Sequence, residues 1–287
     1  MSSILGPDQA EGLRKIFNKS TTRIIAVTSG KGGVGKSNFA LNLGICIANI
    51  SEPKKKVVII DADLGLANIH ILLATIPKYN LYHVIKGQKT MSEIIYKTDY
   101  GIDLISSASG VTLMANMKEE ERNNLIEGLK HITYADFIII DTSAGISNNV
   151  LSFVTAAQET IVITTPEPTA VADAYGIIKA IVTESENANI KLVLNRVKNP
   201  SEANAISKKI IEICQQFLNV KIENYGFIYD DPIIPSAVRA QIPFVKLAPN
   251  SKASLHIDHI ARRILNMEVN QNESAWDRLI KVFLKNS

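Results

Sequence analysis

The sequence predicts an α/β fold, a doubly wound and mostly parallel sheet with helices on both faces. Three features point to it. A glycine-rich loop, GKGGVGKS at 30–37, stands between an apolar β-branched run and a stretch with helical apolar spacing. VVII at 57–60, FIII at 137–140 and IVIT at 161–164 are continuous apolar runs, the pattern of strands covered on both faces of a parallel sheet. Helix-like stretches separate most of these runs, as crossover connections require.

In chain order, RIIAVTS at 23–29 is a strand that enters the loop, and FALNLGICIANI from Phe39 is the helix that leaves it. SEPKKK at 51–56 is a charged, proline-containing linker, and its three lysines read as a solvated loop. Further strands are expected at 57–60, 102–105, 137–140, 160–164, 190–195 and 222–228. After Met267 the composition turns polar, so the P-loop domain is expected to run from 21 to 268. A short segment, 1–20, precedes it, and a polar spacer with an amphipathic helix, 269–287, follows it.

At 287 residues and 46% apolar content, the chain can bury one large core. A net charge of +3 gives no global case for nucleic-acid binding, and none is expected. Cys46 and Cys214 lie far apart, which suggests neither a CxxC metal pair nor a disulfide framework. No signal-peptide core and no apolar run of about 18 residues is seen, so a cytoplasmic location is expected.

The loop carries the chemistry. Gly30, Gly32, Gly33 and Gly35 let the backbone turn its N–H groups onto phosphates. Val34 and Asn38 complete the cofactor-binding stretch. Lys36 neutralises the phosphates, Ser37 places a hydroxyl on Mg²⁺, and the helix opening there adds its positive end. Lys31 has no obvious work within one such cradle. KGGVGK closely resembles the loop of the ParA/MinD class of P-loop ATPases. That resemblance implies that Lys31 reaches across a dimer to the partner's nucleotide, so that ATP holds two subunits together.

DADLGLAN, from Asp61 to Asn68, places two carboxylates at the strand edge where ligands bind in open α/β sheets. The same resemblance implies that this is switch I. Asp63 would then act on the attacking water, and Asp61 would support the Mg²⁺ shell. FIIIDTSAG, from Phe137 to Gly145, is a strand closing on an acid, and Asp141 is expected to accept hydrogen bonds from Mg²⁺-bound water. Gly145 is expected to let the following loop approach the γ-phosphate. Ser143 departs from the Pro or Gly more usual in the family. NRVK at 195–198 ends in a lysine where guanine-specific proteins carry an acceptor, which favours adenine. By resemblance, Asn195 and Arg196 line the adenine pocket, and the stretch 230–244 helps to shape it. His256 and His259, one helical turn apart, lack a visible third ligand.

The two ends choose within the class. DQAEGLR at 8–14 resembles the DQAxxLR motif of FlhG-type proteins, MinD-like ATPases that control flagellar number and placement. Asp8 and Glu11 have capping-box spacing, and Ala10, Leu13 and Phe17 share a face that leaves Gln9 and Arg14 displayed. The resemblance implies that this segment stimulates the GTPase FlhF, with Gln9 entering the partner's active site, and that C-ring proteins are further partners. At the other end, Trp276, Leu279, Ile280, Phe283 and Leu284 form an apolar stripe flanked by Arg278, Lys281 and Lys285, the design of a helix that lies on an anionic membrane surface. The resemblance runs from Asp8 to Lys285. It implies a slow ATPase that cycles between a cytoplasmic ADP monomer and a membrane-bound ATP dimer. A MinD-like division-site regulator and a ParA-type DNA-partitioning ATPase are the alternatives.

Overall fold

A computed structural model of the protein describes residues 22–63, 68–107, 119–185 and 188–266. Sequence features at Asp8, Gln9, Ala10, Leu13 and Arg14, and from Trp276 to Lys285, lie outside the described residues.

Among the described residues the sheet has eight strands: β1 (Arg23–Ser29), β2 (Val57–Ala62), β3 (Tyr96–Lys97), β4 (Ile102–Ser106), β5 (Phe137–Ala144), β6 (Glu159–Thr164), β7 (Ile190–Val197) and β8 (Glu223–Tyr229). Their order is β3-β4-β2-β5-β1-β6-β7-β8. Every pairing is parallel except that of β3 with β4. The apolar runs expected to be strands all are strands, and β1, β2 and β6 are buried along their whole length. β3 is the strand the sequence does not predict. It has two exposed residues and pairs antiparallel at the sheet's edge, too short to show a period.

Helices cover both faces. α1 (Lys36–Ile50) packs on one face with α11 (Lys252–Leu265), burying Phe39, Leu43, Ile257 and Ile260 against Ile25, Ile59 and Ile139. The other face carries α5 (Glu119–Lys130), α6 (Asn148–Ala156), α7 (Pro168–Glu184) and α8 (Pro200–Leu218), which bury Leu125, Phe153, Ile177 and Ile210 against Ile24, Ile138 and Val162. Short helices α2 (Ile69–Leu72), α3 (Leu81–Ile85), α4 (Met91–Ile94), α9 (Ile233–Ala240) and α10 (Phe244–Leu247) fill the connections. With the central strands sealed above and below, alternation has no place there, which explains the continuous apolar runs.

The strand order fixes where a ligand can sit. β1 lies between β5 and β6, and its next strand in sequence, β2, lies beyond β5. Connections from β1 and β6 therefore leave in opposite directions, opening a crevice at the carboxyl ends of the central strands. At the opposite edge, Arg23 ion-pairs with Glu159 and donates to the carbonyl of Ile264, while Tyr225 donates to Glu159. This buried network ties β1, β6, β8 and the end of α11 together below the core.

Candidate nucleotide-binding site

The loop from Gly30 to Gly35 crosses the crevice and ends at the first residue of α1, so the helix's unpaired N–H groups face the same space. Its glycines are required for different reasons. Gly33 and Gly35 have φ of +78° and +93°, a left-handed backbone that side chains resist. Gly30 has an ordinary φ, but a Cβ there would stand 2.0 Å from the carbonyl oxygen of Asp173 on α7.

Lys36 is 7% exposed and its Nζ lies 2.7 Å from Oδ1 of Asp141, which is fully buried. Nζ also lies 3.5 Å from Oγ of Ser37. Burial pushes the Asp141 carboxyl up from its ordinary range, and Lys36 opposes that shift. The second oxygen of Asp141, Oδ2, is buried with no hydrogen-bond partner. A buried acceptor left open beside a hydroxyl and a phosphate-binding lysine fits a hydrated Mg²⁺ held by Ser37 with Asp141 behind its waters.

Asp61 stands directly opposite Asp141 in the register of β2 and β5. Both acids lie within their strands rather than just beyond them. Asp61 holds the start of the next segment: Oδ1 accepts from the N–H of Asp63, and Oδ2 accepts from those of Asn68 and Ile69 at 2.9 and 3.0 Å. Burial, and then the charge of Asp141, pushes its carboxyl up to about 7. Asp61 thus binds the described residues on both sides of 64–67, and it can reach a metal only through the lone pairs that remain. Asp63, just past β2, accepts from Oγ of Ser143 near the end of β5 at 3.0 Å, which joins the ends of the two strands. The serine that departs from the family pattern therefore has a specific partner.

Lys31 points away from the cradle. Its Nζ donates to Oε2 of Glu167 at 3.0 Å and to Oγ1 of Thr169 at 3.1 Å, at the start of α7. Both members of the ion pair are substantially exposed, at 40% and 57%. Asn195 and Arg196, at the end of β7, reach the loop's outer side: Asn195 Nδ2 donates to the carbonyl of Val34 at 2.8 Å, and Arg196 Nη2 to that of Gly33 at 2.9 Å.

Two adjoining cavities result. One, of about 350 Å³, is bounded by Gly32, Gly33, Lys36, Ser37, Asp63 and Asn68. The other, of about 870 Å³, is walled by Asn38, Thr165, Asn195, Ile228, Pro235 and Phe244. Gly35 and Asn38 line both, so the two cavities meet at the end of the glycine loop. The stretch 230–244 does form a wall of the larger cavity, and Asp231 fixes it by accepting from the N–H groups of Ile233 and Ala253. Glu202 is an acid in this cavity that sequence reasoning missed. It caps α8 together with Asn199, accepting from the N–H of Lys198, so the Asn199-Pro200-Ser201-Glu202 spacing was a readable signal. Glu167 and Thr169 were also missed, and nothing local singles them out.

His256 donates through Nδ1 to the carbonyl of Phe227, and His259 lies beside it. Among the described residues no group of three or more His, Cys, Asp or Glu side chains is placed to hold a metal ion. Burial pushes the Cys46 thiol up to about 12 and that of Cys214 to about 11, and both are free. No helix among the described residues is long and apolar enough to cross a membrane.

This geometry agrees with the comparisons. Residues 20–265 match the ParA family, described as NUBPL iron-transfer P-loop NTPase. The chain is 32% identical over 253 residues to the antiactivator FleN of Pseudomonas aeruginosa, covering 88% of this chain and 89% of that one. It is also 32% identical to the flagellum site-determining protein YlxH of Helicobacter pylori, covering 85% and 82%. The MinD structure solved in a MinC:MinD cell division complex from Aquifex aeolicus superposes with a TM-score of 0.67 at 26% identity, over 88% of this chain and 99% of that one. A phosphate cradle with a second lysine, acids on β2 and β5 facing each other beneath it and relatives of this kind lead to one assignment: the chain belongs to the ParA/MinD family of P-loop NTPases, in its FleN/YlxH (FlhG) group.

Proposed function

We propose that this chain is an ATP-hydrolysing dimerisation switch that controls the number and placement of flagella. The observation that carries the reading is the buried Lys36–Asp141 pair beneath the glycine loop, with one oxygen of Asp141 open. Lys36 turns from Asp141 to the incoming phosphates and so frees the Asp141 carboxylate. Ser37, Asp141 and Asp61 would hold Mg²⁺, which would neutralise phosphate charge. Asp63, fixed by Ser143, orients the attacking water. Asn195 and Arg196 stand at the junction of the phosphate and base cavities, and Lys198 presents no acceptor to a guanine.

Lys31 is held within its own chain by Glu167 and Thr169, an exposed contact that dimerisation can replace at little cost. In the ATP dimer it reaches the partner's nucleotide, and ADP returns monomers. The segment 1–20 stimulates an FlhF-type GTPase through Gln9. The helix from Trp276 to Lys285 gives each copy a weak hold on an anionic membrane, which pairing strengthens. The name of YlxH, a flagellum site-determining protein, supports the flagellar reading over the division-site and DNA-partitioning ones.

The test is GTP turnover by the candidate FlhF partner with and without residues 1–20 as a peptide, and with its Gln9→Ala form, beside ATP turnover by the full chain. Stimulation that depends on Gln9, with ATP turnover abolished by Lys36→Ala, is expected. Absence of stimulation by both peptide and full chain would refute the flagellar reading and leave the ATPase reading intact.

A further inference from the structure

The hydrogen bonds from Asn195 and Arg196 fall on the back of the glycine loop. A trans peptide group is planar, with its C=O and the following N–H pointing in opposite directions. Arg196 holds the carbonyl of Gly33 outward and Asn195 holds that of Val34 outward. The N–H groups on the other side of those two peptides, belonging to Val34 and Gly35, are thereby turned away from Asn195 and Arg196.

Three further observations support a built contact. Arg196 itself has a φ of +58°, a left-handed backbone that an arginine adopts only under constraint. The pairing of β7 with β8 shifts register between Leu194 and Val197, and it is this irregularity that accommodates the turn. Asn195 is 7% exposed, its Oδ1 accepts from the N–H of Arg196, and a Cβ at Gly35 would stand 2.4 Å from its Nδ2. Loop and clamp are therefore fitted to each other.

We infer that Asn195 and Arg196 are positioning residues of the phosphate cradle: they fix two peptide planes so that the N–H groups of Val34 and Gly35 face the polyphosphate before it arrives. This rests on the nucleotide reading above and deepens it. It gives the pair a duty toward phosphate, separate from any contact with the base. Preorganised donors need no reorganisation on binding, so the clamp acts on affinity for the phosphate chain whatever base is attached.

The experiment separates the two ends of the ligand. Binding of sodium tripolyphosphate and of adenosine is measured on the full chain and its Arg196→Ala, Arg196→Gly and Arg196→Lys forms. Amide exchange of residues 30–37 is followed without any ligand. Arg196→Ala is expected to weaken tripolyphosphate about tenfold or more, the scale of a lost charged hydrogen bond, and to weaken adenosine by less. Arg196→Gly, which accepts the left-handed backbone, is expected to keep or raise the melting temperature while losing the same affinity, a combination that general destabilisation does not produce. Lysine is expected to restore part of it. Loop amides are expected to exchange faster in the Ala and Gly forms. Weakened adenosine with intact tripolyphosphate would overturn the clamp, as would unchanged exchange. A wild-type chain that binds no tripolyphosphate would overturn the nucleotide reading instead, and the exchange measurement would still decide the clamp.

Discussion

Gly30→Ala is the substitution for which the structure gives the sharpest number. The added Cβ would lie 2.0 Å from the oxygen, 2.3 Å from the carbon of the Asp173 carbonyl and 2.9 Å from its Cβ. Relief to an ordinary contact near 3.4 Å means a relative shift of more than 1 Å between the loop and α7, and backbone atoms cannot swing aside as a side-chain tip does. Overpacking of this kind costs about 1–3 kcal/mol, and the depth of this clash puts Gly30→Ala at about 3 kcal/mol. Gly33→Ala meets nothing within 4 Å but keeps a φ of +78°, which predicts a cost of about 1–2 kcal/mol. Gly32→Ala has open space and no positive φ, so its predicted change is within about 0.5 kcal/mol. Urea unfolding at constant pH measures the series, and in a domain of this size each kcal/mol moves the melting temperature by about 2–4 °C. A Gly30→Ala protein as stable as Gly32→Ala would refute the close approach of the loop to α7.

Three other outcomes follow from the site. Asp61 has a folded pKa of about 7 against an ordinary value of 3.8, so between those values the folded state holds a proton that the unfolded chain has released. Stability contributed at this position therefore falls as pH rises from about 4 to about 7, at up to about 1.4 kcal/mol per pH unit, and is flat above. Urea midpoints of wild type and Asp61→Asn across that window should converge toward acid and diverge toward neutral pH. Lys31→Ala should change folding stability by less than about 1 kcal/mol, because its ion pair is exposed, yet abolish ATP-dependent dimers in sedimentation. Asp63→Ala, expected to block hydrolysis, should pellet with anionic liposomes in ATP and not in ADP, and equal pelleting in both would remove the membrane cycle.

The central fold was legible because its signals are local. Strand, glycine loop and helix stand in sequence order from Arg23 to Ile50, and each buried strand declares itself by an unbroken apolar run. The acids Asp61 and Asp141 were legible as residues closing such runs, although the strands carry on past them to Ala62 and Ala144. What the sequence withheld depends on contacts distant along the chain. Lys31 meets Glu167 across 136 positions, and Asn195 meets Val34 across 161. No period or spacing encodes that the asparagine in β7 grips the glycine loop. The anchoring of Asp63, Asn68 and Ile69 by Asp61 was equally hidden, since a carboxylate's choice between metal and backbone amides is made by three-dimensional placement.

The buried arginine at the foot of β1 has a consequence for how the molecule can be watched. Arg23 binds the Ile264 carbonyl, and Thr22 binds that of Ala135, so the first described residues and the last ones meet at one pole, with the length of β1 between them and the phosphates. A strand of seven residues spans about 23 Å. Dyes attached near Thr22 and Asn266 would therefore sit side by side within one chain and clear of the crevice. Energy transfer between them would stay constant through nucleotide exchange, so that any change in signal between differently labelled copies would report assembly alone.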